Sequence, residues 1–326
     1  MKPVVSLICL ALLSAGAGAQ SRSQKLSEEE LKKLPAVVQL ALRNFSKLRY
    51  SGTRIVEFRQ GPERKRHTEW VLRDGSRART EFPEGSAFAG QIIVENRGER
   101  RHFFPDRNEI HVMPARRDEA FFRLFAMLGG RGSSTPKITA GDPDSIAGHR
   151  AIQVDVSDTA GNVIQKLWIH ATNGLVMKRE IFDRVGTRIG LFEFTSIDFS
   201  PRISRDEFEI KRRGAQIVTP RDRLRAEAQK AGLQPLALSR SSGWSLEHVR
   251  VIRPAGEPIL VQTYIGKHTP VTLFQLKSEV DQQRLDRLGR GLSIHHWRQD
   301  GVTLVLVGDL PAESLRQLAA GVSRSE

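Results

Sequence analysis

Hydrophobic and polar positions alternate along most of this chain in short runs broken by turn residues. Leu34 to Leu48, LPAVVQLALRNFSKL, is the early exception. Val37, Val38, Leu40, Ala41, Leu42, Phe45 and Leu48 give a wide apolar helical face, and Pro35 suits a first turn. After Tyr50-Ser51-Gly52, TRIVEFRQ suits a strand through Ile55, Val56 and Phe58. HTEWVLRDG ends in an Asp74-Gly75 hairpin signal before SRARTEFPEG, and QIIVENRGERRHFFPDRNEIHVM carries turns at 96–98 and 105–108. Such spacing predicts an antiparallel meander. AIQVDV then alternates, with Ile152, Val154 and Val156 on one face, while Asp142-Pro143-Asp144 reads as a turn.

The stretch Gln165 to Phe199 completes the meander, with Asn173-Gly174 and Arg184-Val185-Gly186 as its turns. Period-2 alternation puts Ile189 and Leu191 on one face of the last strand and Phe192 and Phe194 on the other. Both faces carry large apolar groups, so the second face is either covered by another part of the chain or holds something. One insertion interrupts the strands. Asp118 to Leu128, DEAFFRLFAML, puts Phe121, Leu124, Phe125 and Leu128 on one helical face before GGRGSSTP. It reads as a helix packed as core or as a lid.

Residues 211–222, KRRGAQIVTPRD, look like a linker. A short helix is expected from Arg223 to Lys230, ended by Gly232. Strands follow in SLEHVRVIR, PILVQTYIG, PVTLFQLKS and VTLVLVGDL, then a helix from Pro311 to Val322. This second region is a small α+β domain of about 100 residues.

The start changes the cellular picture. Met1-Lys2, an apolar run from Val4 to Leu13 and Ala17-Gly18-Ala19 form the pattern of a secretory signal peptide cleaved after Ala19. Cys9 is the only cysteine and lies inside that signal, so the exported chain has no thiol for a disulfide, a metal or a nucleophile. The chain has 326 residues, 27% of them charged, with a formal charge of +14 that falls to +13 without Lys2. A basic surface suits anionic lipid headgroups or an acidic protein segment, and export leaves nucleic acid as the poorest partner. The bland alternative is that runs such as Arg64-Lys65-Arg66 solvate edge strands.

Catalytic patterns are missing. There is no G-x-S-x-G, H-E-x-x-H or Walker loop, and Gly130-Arg131-Gly132-Ser133-Ser134 lacks the lysine of a phosphate loop. His295 and His296 are adjacent, so on a strand they face opposite ways and cannot share a metal. No cofactor, metal or enzymatic activity is expected.

Several of these residues resemble a known family. Trp168-Ile169, Asn173-Gly174-Leu175, Lys178-Arg179-Glu180, Gly186 and Phe194-Thr195-Ser196-Ile197 follow the hairpins of bacterial lipoprotein-carrier-like proteins, especially the periplasmic sigma-E regulators of the RseB/MucB family. Tyr50-Ser51-Gly52 looks like that family's first strand. Gly243-Trp244, Thr272-Leu273-Phe274 and Val305 to Pro311 resemble its C-terminal domain. His170 stands where the family usually has Asp.

The resemblance implies an unclosed antiparallel β-barrel wrapped over helices, an α+β protein with a half-barrel domain at 34–210 and the small α+β domain at 223–326. It further implies a periplasmic regulator that binds the acidic periplasmic segment of a transmembrane anti-sigma factor. An apolar cavity would sense an acyl lipid or mislocalised lipoprotein. A lipid or lipoprotein carrier is the alternative, and homo-oligomerisation stays open. Trp70, Phe82, Phe103, Phe104, Phe121, Phe125, Trp168, Phe182, Phe192 and Phe194 are the candidate cavity liners; any one aromatic on a strand is more often plain core.

Overall fold

The computed structural model describes residues 29, 32–60, 63–115, 137–266, 270–280 and 292–324. The expected signal sequence, Cys9 and the stretch 118–128 expected to form a helix, with Phe121 and Phe125, lie outside the described residues. The chain divides into two compact units, one of residues 24–111 and 115–217, the other chiefly of 218–326.

The larger unit is an antiparallel sheet that follows the meander closely. Its strands are β1 (Arg49–Gln60), β2 (Glu63–Asp74), β3 (Arg77–Glu81), β4 (Ile92–Asn96), β5 (Glu99–Phe104), β6 (Glu109–Pro114), β7 (Lys137–Ile146), β8 (His149–Ser157), β9 (Val163–His170), β10 (Val176–Phe182), β11 (Arg188–Asp198) and β12 (Gln216–Val218). The order is β12-β6-β5-β4-β3-β2-β1-β11-β10-β9-β8-β7. The β1–β11 and β6–β12 neighbourhoods join strands far apart in sequence, and the two terminal strands, β12 and β7, do not pair, so the sheet is unclosed. Asp142-Pro143-Asp144 is not a turn: it lies within β7, where the register shifts between Ala140 and Pro143. β7 is an edge strand, and a proline without an N–H is tolerated there beside a bulge.

Helix α1 (Ala36–Asn44) is shorter than its apolar pattern, because Phe45–Lys47 tightens into a 3-10 turn and Pro35 stands as the N-cap. Val38 and Ala41 pack on Val154, Val156, Leu167 and Ile169 of β8 and β9. The outer face of β2–β6 is covered differently. Leu72, Ile92, Val94, Phe103 and Ile110 are buried with Phe208, and Ile203, Ile210 and Ala215 pack against them. Arg79 fixes this covering segment by donating to the carbonyls of Glu207 and Glu209 at 2.9 and 3.0 Å. The chain itself therefore answers the two-faced apolar pattern in this half of the sheet. The expected linker holds structure: Gln216 donates to the Asn108 carbonyl (2.9 Å) as β12. Thr219 then caps α2 (Pro220–Ala231) through a reciprocal box with Asp222.

The smaller unit has one five-stranded antiparallel sheet, ordered β14 (Ser245–Ile252), β15 (Ile259–Ile265), β16 (Pro270–Leu276), β18 (Val302–Gly308), β17 (Ser293–Gln299). A short pair, β13 (Leu236–Leu238) with β19 (Val322–Arg324), accompanies it. Leu224 and Ala228 of α2, and Leu315 and Ala319 of α3 (Ala312–Ala320), close over Leu260, Leu273, Leu304 and Leu306. His295 and His296 sit on β17 opposite Leu306 and Val305, on alternate faces. No helix among the described residues is long and apolar enough to cross a membrane.

Two glycines set the inner geometry. A Cβ on Gly52 would lie 2.5 Å from the Ser196 carbonyl, next to the bulge in the β1–β11 register. Gly174 has φ +78, and its Cβ would lie 2.6 Å from the Ala41 backbone. The β9–β10 turn is the seat of α1, with Asn44 donating to the Asn173 carbonyl at 3.2 Å. Gly174→Ala is predicted to destabilise the larger unit by on the order of 2–4 kcal/mol through left-handed strain and overpacking. Denaturant unfolding measures it; a change of less than about 0.5 kcal/mol, the range of neutral surface changes, would show that the helix does not sit there.

Candidate functional site

Cross-strand partners define the concave face. Residues directly opposite in a sheet share a face. Arg54 pairs with Phe194 and Val56 with Phe192 across β1–β11. Phe192 continues to Arg179 on β10, and Arg179 to Leu167 on β9. Leu167 and Ile169 also carry α1, so the helix fills one part of this face, and among the described residues the part beside it is open.

That open part is a cavity of about 470 Å³, within the range of about 300–1,000 Å³ typical of small-molecule sites. Val56, Phe58, Ile181, Ile189, Phe192 and Phe194 line it along the strands, and Phe45, Leu48 and Leu175 close it at the α1 end. At the other end the lining reaches Phe58 and Ile189, next to the hairpin tips. A second, more polar cavity of about 720 Å³ adjoins it over β2–β5. Both are lined by Phe45, Tyr50, Arg54, Glu69 and Arg73.

The Arg54–Glu69 ion pair therefore divides the two cavities. Glu69 accepts from Arg54 Nε and Nη2, both at 2.7 Å, and lies 2.9 Å from His67 Nε2. An ionised carboxylate only accepts, so His67 donates through Nε2. Burial pushes the Glu69 carboxyl up, but the Arg54 charge and the bonds from His67 and Arg54 outweigh it and leave its pKa below the ordinary value. The Arg54 guanidinium also lies 5.4 Å over the Phe192 ring, and the Arg73 guanidinium 4.4 Å over Phe45. Arg179 donates to Gln165 Oε1 at 3.0 Å. The polar groups Arg54, Glu69, Arg179 and Gln165 that border the apolar cavity are thus bonded to protein partners.

The sequence-derived aromatic candidates separate by face. Phe192 and Phe194 line the apolar cavity, and Phe82 lines the polar one. Trp70 and Phe103 pack on the outer face under the 203–215 segment. Trp168 is buried and donates from its indole to Asp144 (2.9 Å), with the Lys178 ammonium 4.5 Å above the ring. Phe182 lies by the exposed 184–186 turn. Phe104 stacks on His102 with ring centres 4.0 Å apart. Burial, then Arg100, His111 and Arg107, push His102 down to about 4, so it is neutral at pH 7.

Sequence reasoning missed Phe45, Val56, Phe58, Ile181 and the Arg54–Glu69 pair as cavity residues. Alternation along β1 could have grouped Tyr50, Arg54, Val56 and Phe58. Their meeting with β9–β11 depends on cross-strand register. His170, where the resemblance would have an Asp, acts here as a local acceptor. Its Nδ1 accepts the backbone N–H groups of Asn173 (3.1 Å) and Thr172 (3.3 Å). Among the described residues no cluster of three or more His, Cys, Asp or Glu could hold a metal.

Comparison with solved structures finds several alike over most of the chain. A crystal structure of MucB is 14% identical, covering 92% of this chain and 99% of that one, with a TM-score of 0.42. The MucA/MucB complex of Pseudomonas aeruginosa is 14% identical over 91% and 99%, at 0.43. A LolA superfamily protein from Nitrosomonas europaea is 11% identical over 54% and 96%, at 0.28. No curated protein sequence matches the chain. The model of the MucB/RseB N-terminal domain matches residues 39–211, more than half of the chain and nearly all of the larger unit. The chain belongs to the MucB/RseB family.

Proposed function

We propose that the chain is a periplasmic regulator that binds the periplasmic segment of a membrane-spanning anti-sigma factor. Its concave cavity takes the acyl part of a lipid or mislocalised lipoprotein. The family match over 39–211 carries this reading, because the regulator role is what that family implies. The apolar cavity beside α1 supports the second half. Burying an acyl chain contributes about 0.8 kcal/mol per CH₂, so the cavity needs no catalytic group. The same cavity suits a carrier, but a minimal carrier would not need the compact unit at 218–326. The basic composition suits an acidic partner segment.

Two measurements test the two halves separately. Calorimetry of the purified protein against the periplasmic segment of a single-span anti-sigma protein encoded beside it is expected to show binding that weakens as salt rises. Absence of binding at low salt would overturn the regulator reading and leave the cavity untouched. Second, Val56→Asp puts a charge into the apolar cavity and Val56→Trp fills it. Each is expected to lower uptake of a fluorescent fatty acid by about tenfold or more, with the circular dichroism spectrum unchanged. Uptake at the unmodified level in both variants would place acyl binding elsewhere.

A further inference from the structure

At the end of the sheet away from α1, the end of β1 and start of β2 lie beside the β10–β11 turn. The register brings Phe58 of β1 opposite Gly190 of β11, and Phe182 of β10 opposite Arg188. A chain of ion pairs runs across all four strands: Arg66 to Glu57 (3.6 Å), Glu57 to Arg188 (3.2 Å), Arg188 to Glu180 (3.1 Å). The end of β1 and start of β2 are therefore tied laterally to the β10–β11 hairpin.

The surface chemistry of this end is one-sided. Arg59, Arg64, Lys65, Arg66 and Arg184 are all exposed. The carboxylates nearby are engaged with their own structure. Glu57 and Glu180 hold Arg188. Asp183 accepts the N–H groups of Val185 (3.0 Å) and Thr187 (2.8 Å). Asp158, in the neighbouring β8–β9 turn, accepts those of Ala160 (2.9 Å) and Asn162 (2.8 Å). Among the described residues at the end of β1 and start of β2, Glu63 alone is an exposed acid. Edge protection explains part of the basic run, since β3 pairs only with Trp70 to Asp74 of β2 and leaves its first residues paired to β1 alone. It does not explain Val185, which is 85% exposed at the tip of the other hairpin between Arg184 and Gly186.

A large apolar side chain held out in water among cations is what an anionic bilayer accepts. The cations meet the headgroup charge, and the valine enters the headgroup–acyl boundary. An acidic peptide would satisfy the cations and leave Val185 in water. The apolar cavity reaches this same end, for its lining residues Phe58 and Ile189 are each one position from Arg59 and Arg188. We propose that the described ends of these two hairpins, Arg59 and Arg64–Arg66 on one and Arg184–Val185 on the other, form a docking surface for an anionic lipid bilayer at the end the cavity reaches. The inference rests on the cavity and these hairpin ends, and stands whether or not an anti-sigma segment binds elsewhere.

The test is sedimentation of the purified protein with vesicles of phosphatidylglycerol and phosphatidylcholine, and with phosphatidylcholine alone. Binding to the first, weakened by salt, is expected, with little to the second. Each cation contributes about fivefold to partitioning, so Arg64→Glu/Lys65→Glu should reduce binding by about twentyfold or more. Val185→Asp should also reduce it, and both sites are exposed, so the thermal midpoint should hold. Failure to bind anionic vesicles would overturn the proposal. So would binding that neither variant reduces, or binding to a polyglutamate peptide that Val185→Asp leaves intact while vesicles stay free.

Discussion

The cavity depends on one close approach, that of α1 to the β9–β10 turn. A sheet with apolar groups on its inner face must cover that face, and among the described residues helix α1 covers the part over β8 and β9. Its position is fixed where the Gly174 Cα faces the Ala41 backbone with no room for a side chain. Asn44 binding the Asn173 carbonyl fixes the helix end. Phe45 and Leu48 then close one end of what remains. A helix seated elsewhere would either fill the concave face or expose it along its length.

The second constraint is electrostatic. A guanidinium and a carboxylate placed inside an apolar wall cost several kcal/mol of hydration unless paired. Here Arg54 and Glu69 pair, with His67 on the remaining carboxylate oxygen. The pair is the boundary between an apolar and a polar cavity, so the concave face offers two chemically different compartments side by side. An amphiphile with an apolar chain and a polar head matches that division better than a purely apolar ligand.

Much of the fold is legible in the sequence because strand and turn chemistry are local. Asn173-Gly174, Asp74-Gly75 and the alternation of Ile152, Val154 and Val156 mark hairpins and faces directly. Pro143 misled because its meaning depends on whether its strand is an edge, which the sequence does not display. The 211–222 stretch reads as a linker for its charge, yet Thr219 and Asp222 carry a capping pattern. The site was only partly legible for a related reason. Phe192 and Phe194 could be assigned a common face by alternation. Whether that face is the concave one depends on the β1–β11 register and on shifts at Thr53/Arg54, Ile181/Phe182 and Val176/Lys178. A single shift turns every following side chain to the other face. Trp70 and Phe103 look like cavity residues by type, but the covering segment 203–215 claims their face.

The most direct test of the account is native mass spectrometry of the protein purified from its envelope, with extraction of any bound mass. An acyl-binding cavity predicts a co-purifying species bearing an acyl chain, released on denaturation and absent from Val56→Trp. A bare polypeptide mass that stays unchanged after incubation with added lipid would contradict the acyl-binding cavity. The family role would then rest on protein–protein contacts alone.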